Sequence, residues 1–127
     1  MTRGLMTAIV VGTGFGCRIH VPALRAAGFT VAALVGTDTQ RLAKRAASSE
    51  VARTFTDLGQ AIAATGARVV TIATPPSSHV ALARTAIEHG CHVICEKPMA
   101  MDAGEAQTLV QAAQRAGVIG LIGNEFR

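Results

Sequence analysis

A glycine-rich turn near the N-terminus is the first group of residues whose types and spacing could bind a ligand. The apolar residues 8–11 lead directly into Gly-Thr-Gly-Phe-Gly at 12–16, and a helix-like pattern follows. A helix that starts after such a turn offers unpaired N–H groups and the positive end of its dipole to a phosphate. The pattern predicts a dinucleotide pyrophosphate contact, although glycine-rich turns also form for conformational reasons alone. The residues in this prediction are Gly12, Thr13, Gly14, Phe15 and Gly16.

The glycines of this turn have separate expected roles. Gly12 is expected to make the tight turn, and Gly14 lets the backbone approach the phosphates because it has no Cβ. The third position of the dinucleotide fingerprint, usually Gly or Ala, is Cys17 here. We interpret Cys17 as small enough for the helix and the strand to pack closely.

A charged pair follows the apolar residues 92–95. Glu96 and Lys97 precede Pro98, which restricts the backbone of Lys97 to extended conformations. Beside a nicotinamide, a lysine can hydrogen-bond a substrate hydroxyl, or lower the pKa of that hydroxyl as hydride leaves the same carbon. Glu96 would then hold Lys97 or contact the cofactor. The alternative is a surface ion pair at the end of a strand.

The end of the second apolar run bears on which nicotinamide cofactor is preferred. NAD-selective domains usually place an acid about twenty residues beyond the glycines, where it bonds the ribose hydroxyls. Here Gly36 and Thr37 come first, and the first acid is Asp38. The missing acid, the Thr37 hydroxyl and Arg41 favour NADP over NAD. The alternatives are that Asp38 only caps a helix and Arg41 is a solvated charge, or that Asp38 reaches the ribose and restores NAD.

The elements that must position these residues alternate strictly along the chain. Asp38, Asp57 and Asp102 are predicted to cap helices, and the first helix is expected to face inward through Ile19, Val21, Leu24 and Ala27. The strands are predicted at 8–11, 30–35, 51–55, 68–73, 92–95 and 118–122, and the helices at 16–27, 38–48, 57–66, 77–90 and 102–117.

Six strands and five helices in alternation predict an α/β fold with three layers. The strands show little apolar–polar alternation, which indicates burial on both faces of a parallel sheet. Right-handed crossovers then give a doubly wound, six-stranded Rossmann sheet with strand order 3-2-1-4-5-6. Ligands are expected outside the carboxyl ends of the strands, where the order reverses. We interpret residues 1–127 as one domain.

Composition narrows the function classes. The chain has 127 residues, is 50% apolar with 3% aromatic residues, and carries a formal net charge of +4. The charge favours an anionic ligand, but no basic run or interleaved aromatic residue indicates nucleic acid. No apolar run reaches the length of a membrane span, and we interpret the short N-terminal run as a strand rather than a signal peptide.

The cysteines and histidines are interpreted mainly as structural. Cys17, Cys91 and Cys95 are odd in number and lie outside metal-ligand spacing, so we expect buried thiols, a reducing cytoplasmic setting and no metal site. Among the four histidines, His79 alone is expected near the crevice. The other three, interpreted as structural, are His20, His89 and His92.

Several segments together resemble the glucose-fructose oxidoreductase, inositol dehydrogenase and rhizopine-catabolism (Gfo/Idh/MocA) family of NAD(P)-dependent oxidoreductases. The resemblance covers nearly the whole chain, and Glu-Lys-Pro at 96–98 is its most specific part. The segments that carry it are 12–16, 20–24, 73–76 with His79, 90–95, 96–98 and the closing Gly-Asn-Glu-Phe-Arg at 123–127.

The resemblance implies roles for individual residues. Lys97 would be the lysine of the catalytic site, and the Lys97–Pro98 bond a candidate cis peptide. Glu96 would contact the cofactor. The residues that the resemblance places on the cofactor, mostly on its nicotinamide side, are Ala73, Thr74, Pro75, His79 and Asn124.

Departures from the family pattern also matter. Cys17 and Gly36 replace the usual residues at their positions. The family's second domain, an antiparallel sheet that supplies the substrate floor and an acid/base histidine, is missing from this chain. The family's dimers meet through that domain, so a homo-oligomer is expected only of the intact protein. The chain is therefore either a fragment or a natural cofactor-binding half.

Two function hypotheses follow. The first is the cofactor-binding half of an oxidoreductase that moves hydride between NAD(P) and a secondary alcohol or ketone of a sugar, cyclitol or similar polyol. The second is a non-catalytic NAD(P)-binding sensor or partner module. Lys97 favours the first, because a sensor has no need of a lysine at the hydride position.

Overall fold

Six parallel strands form one sheet in the computed structural model, which describes residues 6–97 and 100–123. The strands lie in the order β3-β2-β1-β4-β5-β6, so the predicted topology is confirmed. The order reverses between the neighbouring strands β1 and β4. The strands are β1 (Thr7–Val11), β2 (Thr30–Val35), β3 (Thr54–Phe55), β4 (Val69–Ile72), β5 (His92–Glu96) and β6 (Gly120–Gly123).

Five α-helices connect the strands, and three of them begin at the predicted aspartates. The side chains of Asp38, Asp57 and Asp102 each accept a hydrogen bond from the backbone N–H three residues on, at 3.1, 2.9 and 2.9 Å. These bonds satisfy N–H groups that have no partner inside the helix. The helices are α1 (Val21–Ala26), α2 (Thr39–Ser49), α3 (Leu58–Thr65), α4 (His79–Glu88) and α5 (Ala103–Ala116).

The core lies on both faces of the sheet. Helices α3, α4 and α5 cover one face, and α1 and α2 cover the other. Val10 and Val70 at the centre of the sheet are fully buried, as expected for strands enclosed by two helical layers. Alanines on the helices, such as Ala61 and Ala86, are also fully buried, which lets the helices approach the sheet closely.

The first helical segment differs from its prediction. Residues Gly16–His20 form a π-helical turn ahead of α1, in which the Val21 N–H bonds to the Gly16 carbonyl. The wider turn changes the phase of its own residues, so Ile19, predicted to face inward, is exposed. Ala27, also predicted to face inward, is exposed because α1 ends at Ala26. Val21 and Leu24 are buried as predicted, and Cys17 and His20 face the sheet in addition.

Two strands are shorter or shifted because their expected residues bond elsewhere. The Val51 N–H bonds to the Ala46 carbonyl at the end of α2, and β3 begins only at Thr54. The Val118 N–H likewise bonds to the Ala113 carbonyl, so β6 begins two residues late. Among the described residues, no helix is both long and apolar enough to cross a bilayer.

Replacing the cap of α5 gives a test of these local rules. Asp102→Ala is expected to lower the free energy of unfolding by about 1 kcal/mol, because the Glu105 N–H loses its acceptor. Asp102→Asn keeps an acceptor oxygen and is expected to cost only a few tenths of a kcal/mol. Urea unfolding followed by circular dichroism measures both. Equal losses in the two variants would contradict the capping role.

Candidate functional site

The carboxyl ends of four strands lie side by side at one edge of the sheet. Val11 of β1 pairs with Val35 of β2 and with Ile72 of β4, which in turn pairs with Cys95 of β5. The next residue on each strand therefore falls in one row. That row brings together predicted site residues from distant parts of the chain, namely Gly36, Gly12, Ala73 and Glu96.

Gly12 makes the tightest backbone contact of the site. Its φ is +117°, and a Cβ built on it would lie 2.6 Å from the Ala73 carbonyl oxygen. The Gly12 N–H donates to the Val35 carbonyl at 3.0 Å, and the Ala73 N–H donates to the Val11 carbonyl at 2.8 Å. Only glycine fits here, because both the conformation and the close approach exclude a side chain. The predicted role of Gly12 in the turn is confirmed.

Gly14 faces open space. A Cβ built on it would have no atom within 4 Å. In the part of the chain that is described, no acceptor is recorded for the N–H groups of Thr13, Gly14 and Phe15. Unpaired N–H groups around an open backbone form a cradle in which an anion fits.

Close packing of helix on strand occurs at Gly16 rather than at Cys17. A Cβ on Gly16 would lie 2.8 Å from Cγ1 of Val10 and 3.7 Å from Cβ of Ala73. Gly16 is buried and serves packing, while the Cys17 side chain lies in the core between α1 and the sheet. The third glycine of the fingerprint is therefore displaced by one residue, which accommodates the π-helical turn.

A cleft of about 640 Å³ runs along this edge. Its size suits a small-molecule or cofactor site. Ten predicted cofactor residues line it: Gly12, Thr13, Gly14, Phe15, Gly36, Thr37, Arg41, Ala73, Thr74 and Pro75. The described residues that line it without having been predicted as contacts include Asp57, Leu58, Gly59, Ser77, Ser78, Ala81, Leu82 and Thr85.

Gly36 has little room for a larger residue. A Cβ on Gly36 would lie 3.0 Å from Cγ2 of Thr13 and 3.3 Å from Cδ1 of Leu42. Asp38 lines the cleft nearby, and its Oδ1 is engaged by the Arg41 N–H. The predicted cap at Asp38 is confirmed, and the carboxylate lies beside the guanidinium-bearing residue rather than at the strand end.

His79 lies behind the wall of the cleft, not on its surface. Its side chain is 1% exposed, and Nε2–H donates to the Thr74 carbonyl at 2.7 Å. The Ser78 hydroxyl donates to the Pro75 carbonyl and so accepts from the Thr74 hydroxyl at 2.6 Å. The structure therefore gives His79 a supporting contact with the Thr74–Pro75 turn in place of the predicted exposure to the cofactor.

Glu96 bonds neither to Lys97 nor to a residue of the cleft. Its Oε2 accepts a hydrogen bond from Nε2–H of His20 at 2.6 Å, so the histidine interpreted as merely structural reaches a predicted site residue. Lys97 is exposed at the end of β5 and is not part of the cleft lining. Pro98 and Asn124, with their predicted roles, lie outside the described residues.

Cys95, near the carboxyl end of β5, and Cys91, which precedes that strand, are both unsuited to nucleophilic chemistry. Burial, together with the neighbouring Glu96 charge, raises the pKa of Cys95 to about 12, and burial raises the pKa of Cys91. Both thiols stay protonated at neutral pH, whereas the thiolate is the reactive form. Across residues 6–97 and 100–123, no group of three potential ligands for a metal ion comes together.

The unpredicted lining residues come from the start of α3, from the turn before α4 and from the first two turns of α4. Asp57 was predicted as a cap, but the sequence pattern did not show that α3 begins beside the glycine turn. The signal available was positional: α3 follows β3, whose end belongs to the same edge of the sheet. In a doubly wound sheet, the loops after the carboxyl ends of the strands are candidates for the binding site.

Comparison with known proteins identifies this arrangement. Residues 6–124 match the family described as "Oxidoreductase family, NAD-binding Rossmann fold" (GFO_IDH_MocA). The chain belongs to this family. The predicted family is thus confirmed, and the dinucleotide fits the cleft, the open Gly14 backbone and the unpaired N–H groups.

The individual relatives are proteins longer than this chain. The chain is 33% identical to D-apiose dehydrogenase of Paraburkholderia graminis, over 93% of this chain and 32% of that protein. It is 34% identical to inositol 2-dehydrogenase 4 of Saccharopolyspora erythraea, over 90% and 33%. The crystal structure of GenD2 from gentamicin A biosynthesis in complex with NAD superposes with a TM-score of 0.87 at 30% identity, over 97% and 35%. The chain spans about a third of the length of these relatives.

The two glycines of the turn give a matched test. Gly12→Ala is expected to lower the free energy of unfolding by about 2–4 kcal/mol, because its Cβ meets the backbone of Ala73 at positive φ. Gly14→Ala is expected to change stability by less than about 0.5 kcal/mol, since its Cβ points into open space. Urea unfolding of both variants measures the difference. Similar losses at the two positions would refute the assignment of the close approach to Gly12.

Proposed function

We propose that this chain is the cofactor-binding half of an NAD(P)-dependent oxidoreductase. The reaction would be hydride transfer between the nicotinamide and a secondary alcohol or ketone of a sugar, cyclitol or similar polyol. The observation that carries the proposal is the cradle at Gly14, where unpaired N–H groups face an open cleft. The relatives named for apiose and inositol support the substrate class. The description of the family as oxidoreductases favours an enzyme over a sensor.

In this proposal the residues of the cleft hold and orient the dinucleotide. The N–H groups of Thr13, Gly14 and Phe15 would bind the pyrophosphate, since no other acceptor is recorded for them in the described chain. The turn at Thr74 and Pro75, supported from below by His79, would form the wall on the nicotinamide side. The nicotinamide itself supplies the hydride chemistry when bound.

Lys97 is proposed as the catalytic residue. It follows β5 directly, at the edge where the strand ends converge, and its ammonium is exposed. From there it would donate a hydrogen bond to the reacting oxygen of the substrate. A remaining part of the protein would supply the substrate floor and an acid/base histidine, so this chain alone is expected to bind cofactor without turning over substrate.

The proposed setting is a reducing compartment, namely the cytoplasm. Cys17, Cys91 and Cys95 are all free and buried. Free thiols without disulfide bonds are typical of proteins in reducing compartments. A homo-oligomer is proposed only for the protein that contains the remaining part.

We propose NADP as the preferred cofactor. Gly36 stands where an acid would repel a 2′-phosphate, and a larger residue there would press on the side chains of Thr13 and Leu42. The same end of the cleft continues into a groove along α2, and both are lined by Asp38 and Arg41. The groove is also lined by Lys44 and Arg45, so cations outnumber the single acid. A bidentate arginine contact is a strong way to hold a phosphate.

The cofactor preference is tested by calorimetry on the chain itself. NADPH is expected to bind several-fold more tightly than NADH, and Arg41→Ala is expected to lower NADPH affinity by roughly tenfold with little effect on NADH. Arg115→Ala on α5 is the matched control, because Arg115 lies outside the cleft and should change neither affinity. Tighter binding of NADH than of NADPH by the wild type would contradict the proposed preference.

The role of Lys97 is tested in the protein that carries the substrate-binding part. Lys97→Ala is expected to lower kcat by at least about a hundredfold while the dissociation constant of the cofactor changes less than about threefold, because the lysine acts on the reacting oxygen. Lys44→Ala, the chain's other lysine, is the control for kcat with NADH. Equal losses of kcat and cofactor affinity in Lys97→Ala would exclude the catalytic role.

A further inference from the structure

The hydrogen bond between His20 and Glu96 joins two segments that are 76 residues apart. His20 ends the π-helical turn after the glycines, and Glu96 ends β5. Strand β4 lies between β1 and β5, so the bond spans the end of β4 and ties the first crossover to the end of β5. His20 is 8% exposed and Glu96 is 22% exposed. The bond is therefore shielded from most of the competing water.

The imidazole of His20 is held from both sides. Its Nε2 faces the Glu96 carboxylate, and its ring meets the edge of Phe15, with ring centroids 5.6 Å apart at 70°. Phe15 itself lines the cleft beside the unpaired N–H groups of the glycine turn. A π-helical turn places His20 inward where a regular helix following the sequence pattern would have placed Ile19, which is exposed. Such turns are frequent at functional sites.

The hydrogen bond to His20 engages the Glu96 carboxylate, which could otherwise pair with the ammonium of Lys97. Glu96 and Lys97 are adjacent at the end of β5, and both side chains are long enough for the carboxylate to attract the ammonium if no other group holds it. Within the described residues, His20 is the hydrogen-bond partner of the Glu96 carboxylate, and Lys97 is left exposed. An ammonium has three donors, so pairing with its neighbour would not use it up, but it would hold the ammonium away from the position at which it donates to a substrate oxygen.

We propose that His20 is a positioning residue for Lys97. It acts through Glu96: by holding the carboxylate toward the π-helical turn, it keeps Glu96 from capturing the Lys97 ammonium and fixes the strand end from which Lys97 projects. This inference rests on the proposed function, in which Lys97 is catalytic. It adds a role for His20 that links the dinucleotide turn to the reacting end of the cleft.

The chain offers an unusually simple spectroscopic test, because Lys44 and Lys97 are its two lysines. Reductive methylation with ¹³C-formaldehyde labels both, and Lys44 on α2 serves as the internal reference. In His20→Ala the Lys97 methyl resonance is expected to move while that of Lys44 stays. In His20→Gln, whose amide N–H can still donate to Glu96, it is expected to stay near the wild-type position. In the double variant His20→Ala/Glu96→Ala, the Lys97 methyl resonance is expected to lie close to its position in Glu96→Ala alone, because neither protein has a carboxylate at residue 96.

Turnover provides the second readout, in the protein that carries the substrate-binding part, with myo-inositol and a panel of aldoses as probes. His20→Ala is expected to lower kcat by roughly ten- to a hundredfold, as misplacement of a reacting group does. The dissociation constant of the cofactor is expected to change less than about threefold, and His20→Gln is expected to recover most of kcat. His89→Ala is the matched control, because His89 is exposed at the end of α4 and, among the described residues, its side chain bonds to the Thr85 carbonyl of its own helix.

The outcomes separate this inference from the proposed function. The inference would be overturned if His20→Ala left the chemical shift of the Lys97 methyl group unchanged. It would also be overturned if His20→Ala lowered the melting temperature but not kcat. In either case the proposed function would still stand. Equal losses in His20→Ala and His20→Gln would also overturn it, since the hydrogen bond would not be what matters. A wild-type chain that binds neither NADH nor NADPH would overturn the proposed function and this inference with it.

Discussion

The close approach of Gly12 to the carbonyl of Ala73 is the constraint on which the site depends. It brings the ends of β1 and β4 together at the point where the strand order reverses. The two connections then leave toward opposite faces of the sheet, and the cleft opens between them. A side chain at Gly12 would push the ends apart, and both the open backbone at Gly14 and the turn at Thr74 would move with them.

Two buried histidines support this same edge of the sheet. Among the described residues, the buried polar side chains are His20, Thr71 and His79. His79 supports the carbonyl of Thr74 from below, and His20 holds the carboxylate of Glu96 at the end of β5. A buried imidazole that makes a hydrogen bond is rigid and satisfied, so it can hold a loop in place without facing the ligand. The apolar core thus carries polar side chains where the walls of the cleft need support.

Much of the fold followed from local patterns. The apolar strands, the aspartate caps and the glycine turn are each specified within a few residues, and the strand order follows from alternation and the handedness of crossovers. The positions that escaped prediction depend on contacts that no local pattern encodes. Periodicity placed Ile19 inward because it assumes 3.6 residues per turn, whereas the π-helical turn shifted that face to His20. Residue spacing placed the close packing at Cys17, and the structure has it at Gly16.

The amino-acid sequence by itself determined the family, the sheet and the glycine-rich turn. These features depend on residue types that set the local backbone conformation, such as glycines in turns and apolar residues in strands. Tertiary structure alone decided which partner each polar side chain takes. Glu96 was expected to hold Lys97 or contact the cofactor, yet its carboxylate bonds to His20. His79 was expected to face the cofactor, yet it lies beneath Thr74. A side-chain hydrogen bond between distant segments forms only where the fold brings them together. The separation of two residues along the chain does not show how far apart they lie in the folded structure.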